Sequence, residues 1–383
     1  MTVTHPKGFR ASGVAAGLKS TGAVDLAVIV NDGPEQVAAA VWTGNRCKAN
    51  PVLWSQKVVA DGSARVVVAN SGGANCYTGV VGFQTTHATA ERAAQALDVA
   101  PIDVIVCSTG LIGVLNDRET LLTGVDLAVD ALAGDGGHAA AQAIMSSDSV
   151  TKQAVVEAAD WSIGGIAKGA GMLAPGLATM LVFLTTDAAV DAATADRALR
   201  AATRVTFDRL DSDGCMSTND AVVLMASGAS GATPSYEAFA DALTLLCHDL
   251  AQQLLRDAEG AEHYIAVTVI SAASETDAVT VARSVARSNL FKCAIYGKDP
   301  NWGRVLASVG TTEAAFDPAN LDVALNDVWV CRNSGLGEPR ELVDMSARDV
   351  TVTIDLKSGS HQATVWTNDL TQAYVHENSA YAS

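Results

Sequence analysis

The chain has 383 residues, 49% hydrophobic and 17% charged, a balance that builds a packed core and excludes disorder as the main state. Its 25 Lys and Arg stand against 42 Asp and Glu, and the formal charge of −17 repels phosphate backbones and anionic lipid alike, so nucleic acid and membrane are poor partners. At ~150 residues per domain, the length allows one large domain or two to three packed ones.

The first ten residues lack the continuous apolar stretch of a secretory signal. The seven cysteines, Cys47, Cys76, Cys107, Cys215, Cys247, Cys293 and Cys331, contain no CxxC pair, so neither a disulfide framework nor a structural zinc site is indicated. A reduced, cytoplasmic protein is expected.

Runs rich in Val and Ile, bounded by turn residues, predict strands over 24–30, 37–42, 65–69 and 102–107. The uncharged stretch between Lys168 and Asp187 is interrupted by Gly169, Gly171, Pro175 and Gly176, which suits a buried strand over 180–184 with a glycine-rich approach better than a membrane span. A helix is expected over 195–210 and a strand over 222–225. After Thr233-Pro234 a second helix carries Phe239, Leu243, Leu246, Leu250 and Leu254 at helical spacing and should end near Glu259-Gly260. A strand over 264–270, a helix over 274–288 and strands over 290–296 and 323–330 follow. Val350, Val352, Ile354 and Leu356 alternate with polar residues, then Lys357-Ser-Gly-Ser360 turns the chain before Ala363 and Val365, which predicts a hairpin with one buried face. The pattern is α/β, without a fixed-period repeat or a flexible linker.

The seven histidines show no HExxH or comparable ligand spacing and read as structural or surface residues. No GxSxG elbow, GxxxxGK[ST] loop or GxGxxG after a strand is present, so any catalysis needs another device. Ala178 precedes Thr179 at the head of a predicted strand. On spacing alone such a threonine is a β-former. Were the chain cut between the two, the new α-amino group, with an ordinary pKa of about 7.7 to 8.0, would serve as a base beside its own hydroxyl. Ser108-Thr109-Gly110 ends a strand, and its glycine permits a sharp turn that could aim a donor at an oxyanion. The Asn70 to Gly79 segment reads as a Gly and Asn turn, and Asn301-Trp-Gly-Arg304 as a loop with a buried tryptophan.

Taken together, several ordered segments resemble the ornithine acetyltransferase, or glutamate N-acetyltransferase, family of arginine biosynthesis. They run from Lys7-Gly-Phe-Arg10 through the Asn70 to Gly79 loop, Ser108-Thr-Gly110, Lys168-Gly-Ala-Gly-Met172, Ala178-Thr-Met-Leu181, Ser217-Thr-Asn-Asp220, Glu259-Gly-Ala261 and Asp299-Pro-Asn-Trp-Gly-Arg304 to Asn378-Ser-Ala-Tyr-Ala-Ser383. The resemblance implies a layered sandwich of mixed β-sheets and helices, of N-terminal-nucleophile type. It implies self-cleavage between Ala178 and Thr179 into an α chain of residues 1–178 and a β chain of residues 179–383, with two of each in the assembly. Thr179 would be the nucleophile, taking the acetyl group of N2-acetyl-L-ornithine and passing it to L-glutamate by a ping-pong route, with Thr109 and Gly110 as the oxyanion hole. Ser146, Lys168, Thr179, Glu259, Asn378 and Ser383 would bind substrate, and no metal or organic cofactor is implied. Ser146 and Ser383 depart from the threonine of many relatives but keep a hydroxyl. A bifunctional enzyme that also takes acetyl groups from acetyl-CoA, an N-terminal-nucleophile amidohydrolase and an uncleaved binding protein are the alternatives.

Overall fold

The Val- and Ile-rich runs of the first half form two sheets in the computed structural model, which describes residues 2–173 and 180–380. Residues 2–208 and Cys215–Asp257 make one compact unit, and Arg209–Gly214 with residues 258–380 make another. The division does not fall at 178, so the first unit holds residues from both sides of the expected cut.

The first unit runs β1 (Phe9–Val14), β2 (Leu26–Asn31), β3 (Val37–Trp42), α1 (Asn50–Val58), β4 (Val66–Ser71), α2 (Gly79–Leu97), β5 (Val104–Thr109), α3 (Arg118–Asp130) and α4 (Gly137–Ala143). It continues with β6 (Lys152–Glu157), β7 (Ser162–Lys168), β8 (Leu181–Thr186), α5 (Ala192–Val205), β9 (Ala221–Ala226) and α6 (Tyr236–Arg256). One sheet has the order β1-β2-β4-β5, in which β4 and β5 are parallel and joined through α2. The other has the order β3-β9-β8-β7-β6, with β8 and β9 parallel and joined through α5. Val28, Val67 and Ile105 of the first sheet share a core with Leu181, Phe183 and Val223 of the second. Strands buried on both faces read as unbroken apolar runs. Thus β8 and β9 are buried at every position, and Leu184 points away from Phe183 toward α6. The helix approaches closely because β7 has no side chain at Gly165, where a Cβ would stand 2.9 Å from both Leu184 Cδ2 and Leu250 Cδ1.

The second unit runs β10 (Tyr264–Ala272), α7 (Glu275–Ala286), α8 (Asn289–Tyr296), α9 (Trp302–Val309), β11 (Asp322–Leu325), β12 (Val328–Arg332), β13 (Gly335–Leu336), β14 (Asp349–Asp355), β15 (His361–Asn368) and α10 (Gln372–Ala380). Its sheet has the order β13-β12-β11-β14-β10-β15. Val350, Val352 and Ile354 are buried while Asp349 and Thr351 are exposed, so one face of β14 packs on the helices and the other meets solvent. His263 is a structural histidine: it is buried, with Nδ1 2.7 Å from Asp369 Oδ2.

Four expectations are corrected here. Residues 290–296 are helix α8, not a strand: Ser288 caps it by accepting from Phe291 N–H at 3.3 Å, and Phe291, Ala294 and Ile295 are buried at helical spacing. The run 323–330 is two strands with Asn326 and Asp327 in left-handed conformation between them, the geometry of a tight hairpin turn. β14 and β15 are not a hairpin, because β10 lies between them and pairs parallel with β14 and antiparallel with β15. Trp302 likewise opens α9 and is only partly buried. The seven cysteines are all free. Among the described residues, no helix is long and apolar enough to cross a membrane, and no group of three or more His, Cys, Asp or Glu is placed to hold a metal ion.

Candidate active site

Parallel strands joined through a helix leave a crevice beyond their carboxyl ends, where ligands bind in such sheets. In the first unit the carboxyl ends of β4 and β5 lie side by side, with Ser71 opposite Thr109. Gly110, directly after β5, has φ +125°, and a Cβ there would stand 2.7 Å from the Gly73 N. Only glycine lets the two turns meet this closely.

Lys168 ends β7 and reaches into this crevice. Its Nζ donates to Thr109 Oγ1 at 3.2 Å, and it is 1% exposed. An ammonium this buried needs counter-charge, and Asp148 supplies it from the loop between α4 and β6. Asp148 Oδ1 accepts from Lys152 Nζ and Gly169 N–H, each at 2.6 Å. Its Oδ2 accepts from Ser146 N–H at 3.0 Å and stands 4.0 Å from Lys168 Nζ. Burial pushes the Asp148 carboxyl up, but Lys168, Lys152 and the Gly169 N–H outweigh it and hold the pKa down at about 2. Lys152 Nζ also donates to Asp257 Oδ2 at 2.5 Å, at the end of α6.

A third element closes the group. Ser217-Thr-Asn-Asp220 leads into β9, and Asn219 Nδ2 donates to Ala74 O at 2.7 Å and Ser108 O at 2.8 Å, stitching the turns after β4 and β5 together. Asp220 is fully buried, and its Oδ1 accepts from Met180 N–H at 3.1 Å at the head of β8. Its Oδ2 has no hydrogen-bond partner among the described residues. Burial pushes this carboxyl well above the usual range, against the pull of the Met180 N–H, the Lys168 charge and the Ser217 and Thr43 hydroxyls.

Of the residues singled out in the sequence, Thr109, Gly110, Ser146 and Lys168 therefore come together in the first unit. Glu259 and Asn378 belong to the second. Glu259 is 9% exposed, and its charge, after burial and Asp213, helps to raise the Tyr374 phenol. Gly260 beside it packs on the start of α10, where Thr371 Oγ1 donates to Gly260 O at 2.6 Å. Asn378 is exposed on α10 and donates to Tyr374 O at 3.0 Å. Ala178, Thr179 and Ser383 lie outside the described residues. Sequence reasoning missed Asp148, Lys152 and Asn219 as site-building residues. Asn219 lay in the Ser217-Thr-Asn-Asp220 segment that carries the resemblance, but without a role of its own.

The model of the ArgJ family matches residues 10–383. The arginine biosynthesis bifunctional protein ArgJ of Streptomyces coelicolor is 60% identical over the whole of both chains. Its namesake from Mycolicibacterium paratuberculosis is 53% identical over all of this chain and 96% of its own. An ornithine acetyltransferase from Mycobacterium tuberculosis, solved in complex with ornithine, is 53% identical over 45% of this chain and 94% of its own, with a TM-score of 0.45. With a family model matching nearly end to end and full-length relatives at this identity, the chain belongs to the ArgJ family.

Proposed function

We propose that this acyltransferase of arginine biosynthesis moves an acetyl group from N2-acetyl-L-ornithine to L-glutamate through an ester on Thr179. The chain first cuts itself between Ala178 and Thr179, giving residues 1–178 and 179–383, two of each in a cytoplasmic assembly. The Thr179 Oγ then attacks the acetyl carbonyl carbon, with its own α-amino group taking the proton. The C–N bond breaks, ornithine leaves with that proton, and the glutamate amine attacks the ester to give N-acetylglutamate and free threonine.

The observation that carries this reading is the Lys168 to Thr109 contact beside Gly110. Because Thr109 Oγ1 accepts from the lysine, its own O–H is free to donate, and beside the backbone of the Gly110 turn it forms a preorganised pair for the oxyanion. One such donor is worth about 2.7 to 4 kcal/mol. Lys168 offers charge to a substrate carboxylate, Glu259 offers the opposite charge to the second amine of ornithine, and Ser146, Asn378 and Ser383 complete the set.

Intact mass under denaturing conditions, for the wild type beside Thr179→Ala, tests the core of this proposal. Two fragments that sum to the chain plus one water, absent from the variant, are expected, together with ornithine release in a burst on mixing with acetylornithine. An uncut wild-type chain that still transfers acetyl groups would overturn it. The word bifunctional in the relatives' names favours a second reaction in which acetyl-CoA is the donor, and glutamate with acetyl-CoA alone tests that.

A further inference from the structure

We infer that Asp148 and Lys152 are positioning residues for Lys168: Asp148 keeps the Lys168 ammonium charged and aimed, and Lys152 holds Asp148 in place. This rests on the reading of Lys168 as the ligand of a substrate carboxylate.

Lys152 is 0% exposed and Lys168 1%. An amine so deeply buried gives up its proton near neutral pH unless an anion faces it. Among the described residues, Asp148 and Asp220 are the carboxyls whose charge interacts with Lys168. Asp220, at the head of β9, is pushed toward its neutral form by burial and so offers little charge. Asp148 offers a full one and is itself fixed from four sides, by the Ser146 and Gly169 N–H groups and by both lysines. Thr109, on β5, faces Lys168 as a neutral acceptor. Lys19 adds positive charge near Asp148 while donating to Met145 O at 2.7 Å. Asp257 balances Lys152 from the end of α6. Within Lys152, Lys168, Asp148 and Asp257 the charges cancel, and Asp148 touches both lysines. The same carboxylate grips Ser146 and Gly169, so one side chain sets the direction of Lys168, the Ser146 backbone and the chain that leaves β7.

The test is steady-state kinetics from pH 6 to 9 on Asp148→Asn, Asp148→Glu and Lys168→Ala, with self-processing read by mass. Asp148→Asn removes the counter-charge, so its Lys168 should deprotonate at lower pH than in the wild type. Relative to the wild type at each pH, its kcat/KM is then expected to fall ~tenfold per pH unit above the new pKa. At low pH, with substrate saturating, kcat should approach the wild-type value. Asp148→Glu keeps the charge but shifts it, so it should keep the shape of the wild-type profile with KM raised between about tenfold and a hundredfold. A pH profile of Asp148→Asn parallel to the wild type, with KM raised in Lys168→Ala, would overturn the positioning role while leaving the Lys168 reading intact. Unchanged KM in Lys168→Ala would overturn both. If Asp148→Asn does not fold, Asp148→Glu decides: wild-type KM overturns the inference.

Discussion

Asn219→Ala should loosen the crevice beyond β4 and β5. The side chain is 5% exposed and donates to Ala74 O at 2.7 Å and Ser108 O at 2.8 Å, joining the two turns that carry Gly73 and Thr109. Alanine leaves both carbonyls buried without that donor. At about 1 to 3 kcal/mol per unmet group, the cost is roughly 2 to 6 kcal/mol. Urea unfolding followed by circular dichroism measures it as a shift in midpoint at constant slope. Asn219→Asp sharpens the test, because a carboxylate facing two carbonyl oxygens must take up a proton before it can donate. Its folded pKa is then raised above the unfolded one, so the variant should be steadiest in acid and lose stability as pH rises through the folded value. A loss below about 0.5 kcal/mol for Asn219→Ala, within the range of an ordinary surface change, would refute the claim that Asn219 holds these turns. So would an Asn219→Asp variant whose stability relative to wild type does not depend on pH.

Two further outcomes are expected. Gly165→Val places a branched side chain where even a Cβ would stand 2.9 Å from Leu184 and Leu250. It should cost about 1 to 3 kcal/mol by overpacking, read by the thermal midpoint; a neutral substitution would mean that α6 can move off the sheet. The Asp148 carboxyl is held at about 2 against an ordinary 3.8. It should therefore contribute on the order of 2 kcal/mol above pH ~4, lost as pH falls toward ~2. Stability measured between these pH values should decline less in Asp148→Asn than in the wild type.

How much of this was legible beforehand depended on whether the signal was local. The leucine ladder of α6 was plain: Phe239, Leu243, Leu246, Leu250 and Leu254 are all buried, and Ser235 caps the helix where Pro234 announces it. The buried strands β8 and β9 also stood out as apolar runs of strand length. The same reasoning misread residues 290–296, because a short apolar run fits a buried strand or a buried helix equally. The deciding feature was the Ser288 cap, together with Leu290, which is 64% exposed. Alternation gave the faces of β14 and β15 correctly but not their neighbours, since β10 comes from far earlier in the chain and slips between them. At the site, Thr109 and Gly110 were suspected from the turn they make. Asp148 and Lys152 were not singled out, because their burial is set by α6, β6 and β7 assembled together, and no window of sequence contains all three.

The order β3-β9-β8-β7-β6 places β7 and β8 side by side, and they lie on opposite sides of the proposed cut. β3 and β9, also from opposite sides, pair along six residues of register. A cut at Ala178 would therefore leave two polypeptides woven into one sheet, held by backbone hydrogen bonds and a common core. The sheet has to be complete before the bond breaks, since each half alone would expose open strand edges. Afterwards the route back changes character. Melting would also be separation, refolding would require two molecules to meet, and recovery would depend on their concentration. Maturation would thus act as a ratchet, with the uncut chain able to refold unaided and the cut enzyme persisting chiefly by the slowness of its unfolding.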